Sequence, residues 1–371
     1  MDVASYIDQL LYQAVRKRAS DIHIEPQRDE IRIRLRIDGQ LLETGRLDYR
    51  HLTALVSRIK VMSQLDIGEK RLPQDGTFSF GKADQHLQVR ISTLPTIYGE
   101  KVVMRLLRLR EKYNMGELGL ESEQQQKINR LLGYKSGLLV VTGPTGSGKT
   151  TTLYTLLQVL NSLDTNIISL EDPVELQLEG VNQVQIHPKT GLTYSSGLKA
   201  VMRQDPNVIM IGEIRDEEIA NIAISAALTG HLVLTTLHTA DAASAVIRLL
   251  DLKIEPYRLA AALIGVIAQR LVRLLCHECN GKGCTNCQQS GYQGRIGVFE
   301  VMEADRTLAE LILKQVSLEE LREQLAGSGM KSINDMIRHR IKKGQTTIDE
   351  WMRVVDGVEE ETLEGRAIHG V

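Results

Sequence analysis

The chain has 371 residues, 42% apolar and 25% charged, with 8 prolines, a composition that excludes disordered, collagen-like and fibrous classes. A formal charge of -2 and an aromatic content of 4% leave neither a dominant phosphate-binding face nor an evident set of stacking platforms for single-stranded bases, so direct nucleic-acid binding is not expected. The length predicts two folding units, each with enough chain to bury its own core.

The N-terminus, Met1 to Asp8, lacks the basic stretch and apolar core of a signal peptide. Val3, Ile7, Leu10, Leu11, Ala14 and Val15 recur at helical spacing and predict a helix over about residues 3 to 18. Glu30 to Ile37 alternates perfectly, with Ile31, Ile33, Leu35 and Ile37 on one face and Arg32, Arg34 and Arg36 on the other, and Asp38-Gly39 supplies a hairpin turn. Further strands are predicted near 41–46, 77–81, 86–93 and 101–108, with a helix near 50–64. This is an α+β domain over residues 1–110, followed by a polar linker over 111–119.

From residue 120 the pattern changes to buried strands alternating with helices, as in a parallel sheet, with strands near 137–142, 166–171, 207–211 and 231–236. The fold class is α/β, and this second domain is expected to span 120–355, turning helical after Gly297, with its helical part over 303–355. Residues 356–371 are acidic and poor in apolar side chains and read as a disordered tail. The longest apolar run, Leu259 to Ala268, is too short to span a bilayer.

The most informative stretch is Gly143-Pro144-Thr145-Gly146-Ser147-Gly148-Lys149-Thr150, entered from the apolar run Leu138 to Val141 and left through Thr151 into a helix. Strand, glycine-rich turn and helix start come in the order that lets backbone N–H groups wrap a phosphate. Lys149 then reaches the outer phosphate oxygens and Thr150 holds Mg²⁺, so a nucleoside triphosphate with Mg²⁺ is the expected ligand. Hydrolysis also needs a carboxylate near the attacking water. Glu171-Asp172-Pro173-Val174-Glu175 and Gly212-Glu213-Ile214-Arg215-Asp216 each follow a buried strand, and either Glu175 or Glu213 satisfies the spacing. In the second, glycine stands where an aspartate usually precedes the glutamate. His238 follows another apolar strand and is read as a γ-phosphate sensor or as a structural residue; His231, just before that strand, gives a weaker signal.

Cys276, Cys279, Cys284 and Cys287 fall in two Cys-x-x-Cys units within 276–287, which predicts a structural Zn²⁺ knuckle rather than a disulfide framework. Arg90 and Arg105 read first as a solvated strand face, or as charge stabilisers for a neighbouring phosphate.

Taken together, Ala19 to Pro26, Arg36 to Gly39, Pro73 to Gly76, the Arg90 to Arg105 block, the phosphate loop, the two acidic boxes and Thr229-Gly230-His231 through His238 resemble the type II secretion and type IV pilus assembly ATPases over about residues 1–355. The resemblance implies a RecA-like ATPase domain preceded by a PAS-like domain and a homo-hexameric ring. It also implies cytoplasmic residence at the inner face of the membrane and work on an inner-membrane platform protein. Within it, Arg90 and Arg105 match nucleotide-approaching arginines, Glu175 the water-activating acid, Glu213 the Walker B acid, and His231 with His238 the His box. The longer members carry an additional N-terminal domain. The four cysteines favour the assembly branch over the retraction ATPases, and the compact length most resembles competence or DNA-uptake pilus ATPases. A retraction motor and a nucleic-acid translocase on the same core are the alternatives.

Overall fold

The computed structural model describes residues 2–81, 87–108 and 114–355, so the expected tail at 356–371 and residues 111–113 of the expected linker lie outside it. The chain divides into two units, Met1–Arg110 and Glu111–Val371.

In the first unit, helix α1 (Val3–Arg16) is capped by the Asp2 carboxylate, which accepts the N–H groups of Ala4 and Ser5. There follow β1 (Ala19–Pro26), β2 (Glu30–Ile37), β3 (Gln40–Asp48), α2 (Leu52–Met62), β4 (Gln74–Phe80), β5 (Leu87–Thr96) and β6 (Gly99–Arg108). The six strands form one antiparallel sheet in the order β3-β2-β1-β6-β5-β4. Asp38 and Gly39 take φ of 48° and 88°, and Ile37 pairs directly with Gln40, so the predicted two-residue hairpin is present. One face buries Ile22, Ile24, Ile33, Ile91 and Met104 against Ile7, Leu11, Leu55 and Ile59 of the two helices. The strand β1 did not stand out in the sequence because its second face carries Asp21, His23 and Glu25, all buried polar residues.

The second unit contains α3 (Ser122–Leu132), β7 (Gly137–Thr142), α4 (Lys149–Leu160), β8 (Ile167–Glu171), β9 (Asn182–Gln185), α5 (Tyr194–Val201) and β10 (Val208–Ile211). It continues through α6 (Glu217–Leu228), β11 (Leu232–Leu237), α7 (Ala242–Asp251), α8 (Pro256–Ala262), β12 (Leu263–Leu275), β13 (Tyr292–Glu303), α9 (Arg306–Lys314), α10 (Leu318–Gly327), α11 (Ile333–Lys342) and α12 (Ile348–Val355). Seven strands form a sheet in the order β13-β12-β7-β11-β10-β8-β9, parallel except for the β12–β13 hairpin. Leu139, Val141, Leu234 and Met210 lie in the core beneath α4, while Val140, Val233 and Ile211 face α5 to α8, so the central strands are apolar on both faces.

One expectation needs correction here. The chain does not turn helical at Gly297: the strand β13 continues to Glu303, and a Cβ at Gly297 would meet Phe299 and the carbonyl of Leu118. The apolar run from Leu259 is the end of α8 joined to the start of β12, a largely buried strand that carries no alternation to betray it. Within the expected linker, Met115 is buried in the core of the second unit.

Candidate active site

The phosphate loop joins β7 to α4. Its glycines at 143, 146 and 148 take φ of 154°, 78° and 91°, conformations that a Cβ disfavours, and a Cβ at Gly143 would approach the Gln269 carbonyl to 2.5 Å. Lys149 is 9% exposed, and its ammonium donates to the carbonyl oxygens of Gly143 at 2.7 Å and Pro144 at 3.1 Å. Burial lowers its pKa to about 8, against the opposing pull of Glu213. The Ser147 hydroxyl is buried without a hydrogen-bond partner among the described residues. A buried cation, an orphaned hydroxyl and the N-terminus of α4 thus lie together in one loop, a donor set that fits a polyphosphate. Thr150, in the first turn of α4, is exposed.

Parallel pairing of β8, β10, β11 and β7 brings their carboxyl ends to the same edge of the sheet. After β10, Glu213 pairs with Arg215, whose guanidinium also lies 3.7 Å from Asp172 at the end of β8. His238, just past β11, places Nε2 3.3 Å from the second Glu213 oxygen. Asp172, Glu213, Arg215 and His238 are therefore one cluster. Gly212 has a physical reason to be glycine: a Cβ there would lie 2.8 Å from the Tyr194 hydroxyl and 3.3 Å from the Leu170 carbonyl.

The first acidic box separates into two kinds of carboxylate. Glu171 is buried and fully engaged, accepting from the Tyr154 phenol, the Ser169 hydroxyl at 2.6 Å and the Gln183 amide at 3.0 Å. Burial and the Glu171 carboxylate push the Tyr154 phenol far above its ordinary pKa, so it stays protonated and donating. Glu175 is half-exposed, and its carboxylate makes no hydrogen bond or ion pair among the described residues; its backbone N–H donates to Tyr154 Oη at 3.2 Å. Sequence reading missed Tyr154, which lies in α4 behind the phosphate loop and whose only local signal was a tyrosine on an otherwise apolar helix face.

The structure does not bring His231 to this cluster. Pairing of Leu232 with Gly137 and of Leu237 with Thr142 puts His231 at the opposite end of β11, about 20 Å of strand away, with Nδ1 3.0 Å from the Ala226 carbonyl. Arg90 and Arg105 belong to the first unit, directly opposite each other on β5 and β6, and Arg105 is paired with Asp21 at 2.9 Å. The Arg32, Arg34, Arg36 stripe lies beside β1, where Glu25 accepts from Arg32 and Arg34 and pairs with Lys101 at 2.9 Å, and Arg36 lies 3.7 Å from Asp21. Burial opposes ionisation of Glu25, but Arg34 and Lys101 overcome it and hold its pKa at about 2.

The four cysteine sulfurs all lie within 4.8 Å of one another, with Cys276 to Cys284 at 3.8 Å and both Cys279 and Cys284 3.7 Å from Cys287. These separations exceed a disulfide bond and equal the roughly 3.8 Å edge of a tetrahedron with metal–sulfur bonds of about 2.3 Å.

Residues 2–353 match the type II/IV secretion system protein family. The type II secretion system protein HxcR of Pseudomonas aeruginosa is 45% identical over 361 residues, which cover 95% of this chain and 77% of that protein. The type IV pilus assembly ATPase PilB of Myxococcus xanthus is 42% identical over 378 residues, covering 94% of this chain and 67% of PilB. Among solved structures, the pilus retraction motor PilT with bound ADP aligns at a TM-score of 0.68 and 26% identity over 96% of this chain and 98% of PilT. A match that runs through both units and takes in every strand end around the phosphate loop makes this chain a member of the type II/IV secretion system protein family, and an ATPase.

Proposed function

We propose that the protein is the motor that powers assembly of a type IV pilus or a type II secretion pseudopilus, working as a homo-hexameric ring on an inner-membrane platform protein from the cytoplasmic side. Among the described residues no helix is long and apolar enough to cross a membrane. The second unit serves as the RecA-like ATPase domain and the first as the PAS-like domain. The observation that carries this reading is the pairing of the phosphate cradle with a cysteine tetrad of zinc dimensions, in a chain 42% identical to a pilus assembly ATPase. The tetrad speaks for assembly rather than retraction.

In this reading the loop residues 143–151, through the backbone N–H groups of all but Pro144, and the Lys149 ammonium hold the ATP phosphates. Thr150 holds Mg²⁺, which supplies charge neutralisation on the phosphates when bound. Glu175 takes the proton of the attacking water, because its carboxylate is the unengaged one, whereas Glu213 is held by Arg215 and His238 and acts as the Walker B acid through an intervening water. His238 senses the γ-phosphate from the same cluster. Arg90 and Arg105 stabilise phosphate charge within the ring, and Cys276, Cys279, Cys284 and Cys287 bind structural Zn²⁺. The Arg32 to Arg36 stripe is neutralised by Glu25 and Asp21, which gives a nucleic-acid translocase no support.

The test is a count of surface filaments by electron microscopy with pilin immunolabelling, in cells carrying Glu175→Gln. Loss of filaments is expected of an assembly motor; long or excess filaments would make it a retraction motor instead.

A further inference from the structure

The phosphate loop is buttressed by a residue that lies more than a hundred positions away in the chain. Gln269 is the central residue of β12 opposite the end of β7, where Ala268 pairs with Thr142, and it is 2% exposed. Its backbone carbonyl limits Gly143 at the start of the loop, and its amide nitrogen lies 2.8 Å from where a Cβ of Gly148 would stand at the loop's end. The amide oxygen accepts a hydrogen bond of 2.6 Å from the hydroxyl of Thr152, a wholly buried residue in the first turn of α4. One residue therefore bounds both glycines that frame the cradle, Gly143 through its backbone carbonyl and Gly148 through its side-chain amide, and the same amide ties down the helix turn whose N–H groups face the phosphates.

We infer that Gln269 is a positioning residue for nucleotide binding, acting through Thr152 on the first turn of α4. Without the amide acceptor, the Thr152 hydroxyl can turn back onto its own helix, to the carbonyl of Gly148 four residues earlier, which already accepts the Thr152 N–H at 3.1 Å. Back-bonding of that kind bends the start of a helix and swings its N–H groups off the phosphate axis. The consequence is in ground-state binding, since the loop holds the phosphates before and during transfer alike.

The test compares Gln269→Met, Thr152→Val, the double variant and Thr152→Ser, measuring the Kd of a fluorescent ATP analogue and the kcat and KM of ATP hydrolysis. Gln269→Met and Thr152→Val are each expected to raise Kd and KM about tenfold, the effect of losing one buried hydrogen bond, with kcat changed much less. The double variant is expected to match either single variant, because both break the same contact, and Thr152→Ser, which keeps the hydroxyl, to bind like the parent. Unchanged nucleotide affinity in Gln269→Met, or single effects that multiply in the double variant, would overturn the inference. If Gln269→Met does not fold, the Thr152→Val and Thr152→Ser pair decides it with Gln269 in place: equal affinity in the two rejects a role for the hydroxyl.

Discussion

The phenol of Tyr154 joins the two ends of the first acidic box: it donates to the buried Glu171 carboxylate and accepts the backbone N–H of Glu175 at 3.2 Å. Through α4 the same tyrosine is rigidly attached to the phosphate loop, so the segment carrying Glu175 is indexed to the phosphates by one side chain. Tyr154→Phe removes both bonds and leaves Glu171 with a lost donor in a buried site. We expect a loss of about 1–3 kcal/mol in stability. A fall in kcat larger than any change in KM is also expected, read from steady-state hydrolysis beside a thermal melt. Equal kcat in the variant would separate Tyr154 from the placement of Glu175.

Gly212→Asp restores the residue usual at that position of a Walker B strand, and the structure predicts that it harms the protein. The new side chain would start 2.8 Å from the Tyr194 hydroxyl, and overpacking of this kind costs about 1–3 kcal/mol. Thermal denaturation should show the loss, and a Tyr194→Phe background should recover part of it by removing the obstructing oxygen.

Lys149 makes nucleotide affinity pH-dependent. Burial sets its folded pKa at about 8, below the ordinary 10.5, so the unfolded chain holds this proton more tightly across that window. From this group, the protein without nucleotide gains stability as pH rises from about 8 towards 10.5 and gains nothing below it. Phosphate binding requires the ammonium, so ATP affinity falls as pH passes about 8, by at most about tenfold per unit. Nucleotide titrations between pH 7 and 9.5 check the slope, and Lys149→Arg, charged throughout, should flatten it.

The cysteine tetrad should carry one zinc per chain, measured by inductively coupled plasma mass spectrometry on the purified protein. Cys279→Ser is expected to lower the metal content and to loosen the loop between β12 and β13 in hydrogen exchange. Full protection of that loop after complete metal removal would show that its backbone holds the turn unaided.

Local chemistry alone marked the phosphate loop, the cysteine spacing, the β2 hairpin and the alternation of apolar strands, because each is a pattern within a dozen residues that backbone geometry enforces. Sequence also placed acids at the ends of β8 and β10. Spacing alone did not separate Glu175 from Glu213, since Glu213 is engaged by Arg215 and His238 through contacts that only packing creates. His231 and His238 are seven positions apart in sequence, but a parallel strand carries them to opposite edges of the sheet. Gln269 was invisible for the same reason: β12 meets β7 only through tertiary pairing across more than a hundred residues. The alternation puts Arg32, Arg34 and Arg36 on one strand face, and only the pairing of β1 with β2 brings Asp21 and Glu25 alongside them. Short-range periodicity thus determined the elements and the phosphate cradle, and strand order decided which side chains share it.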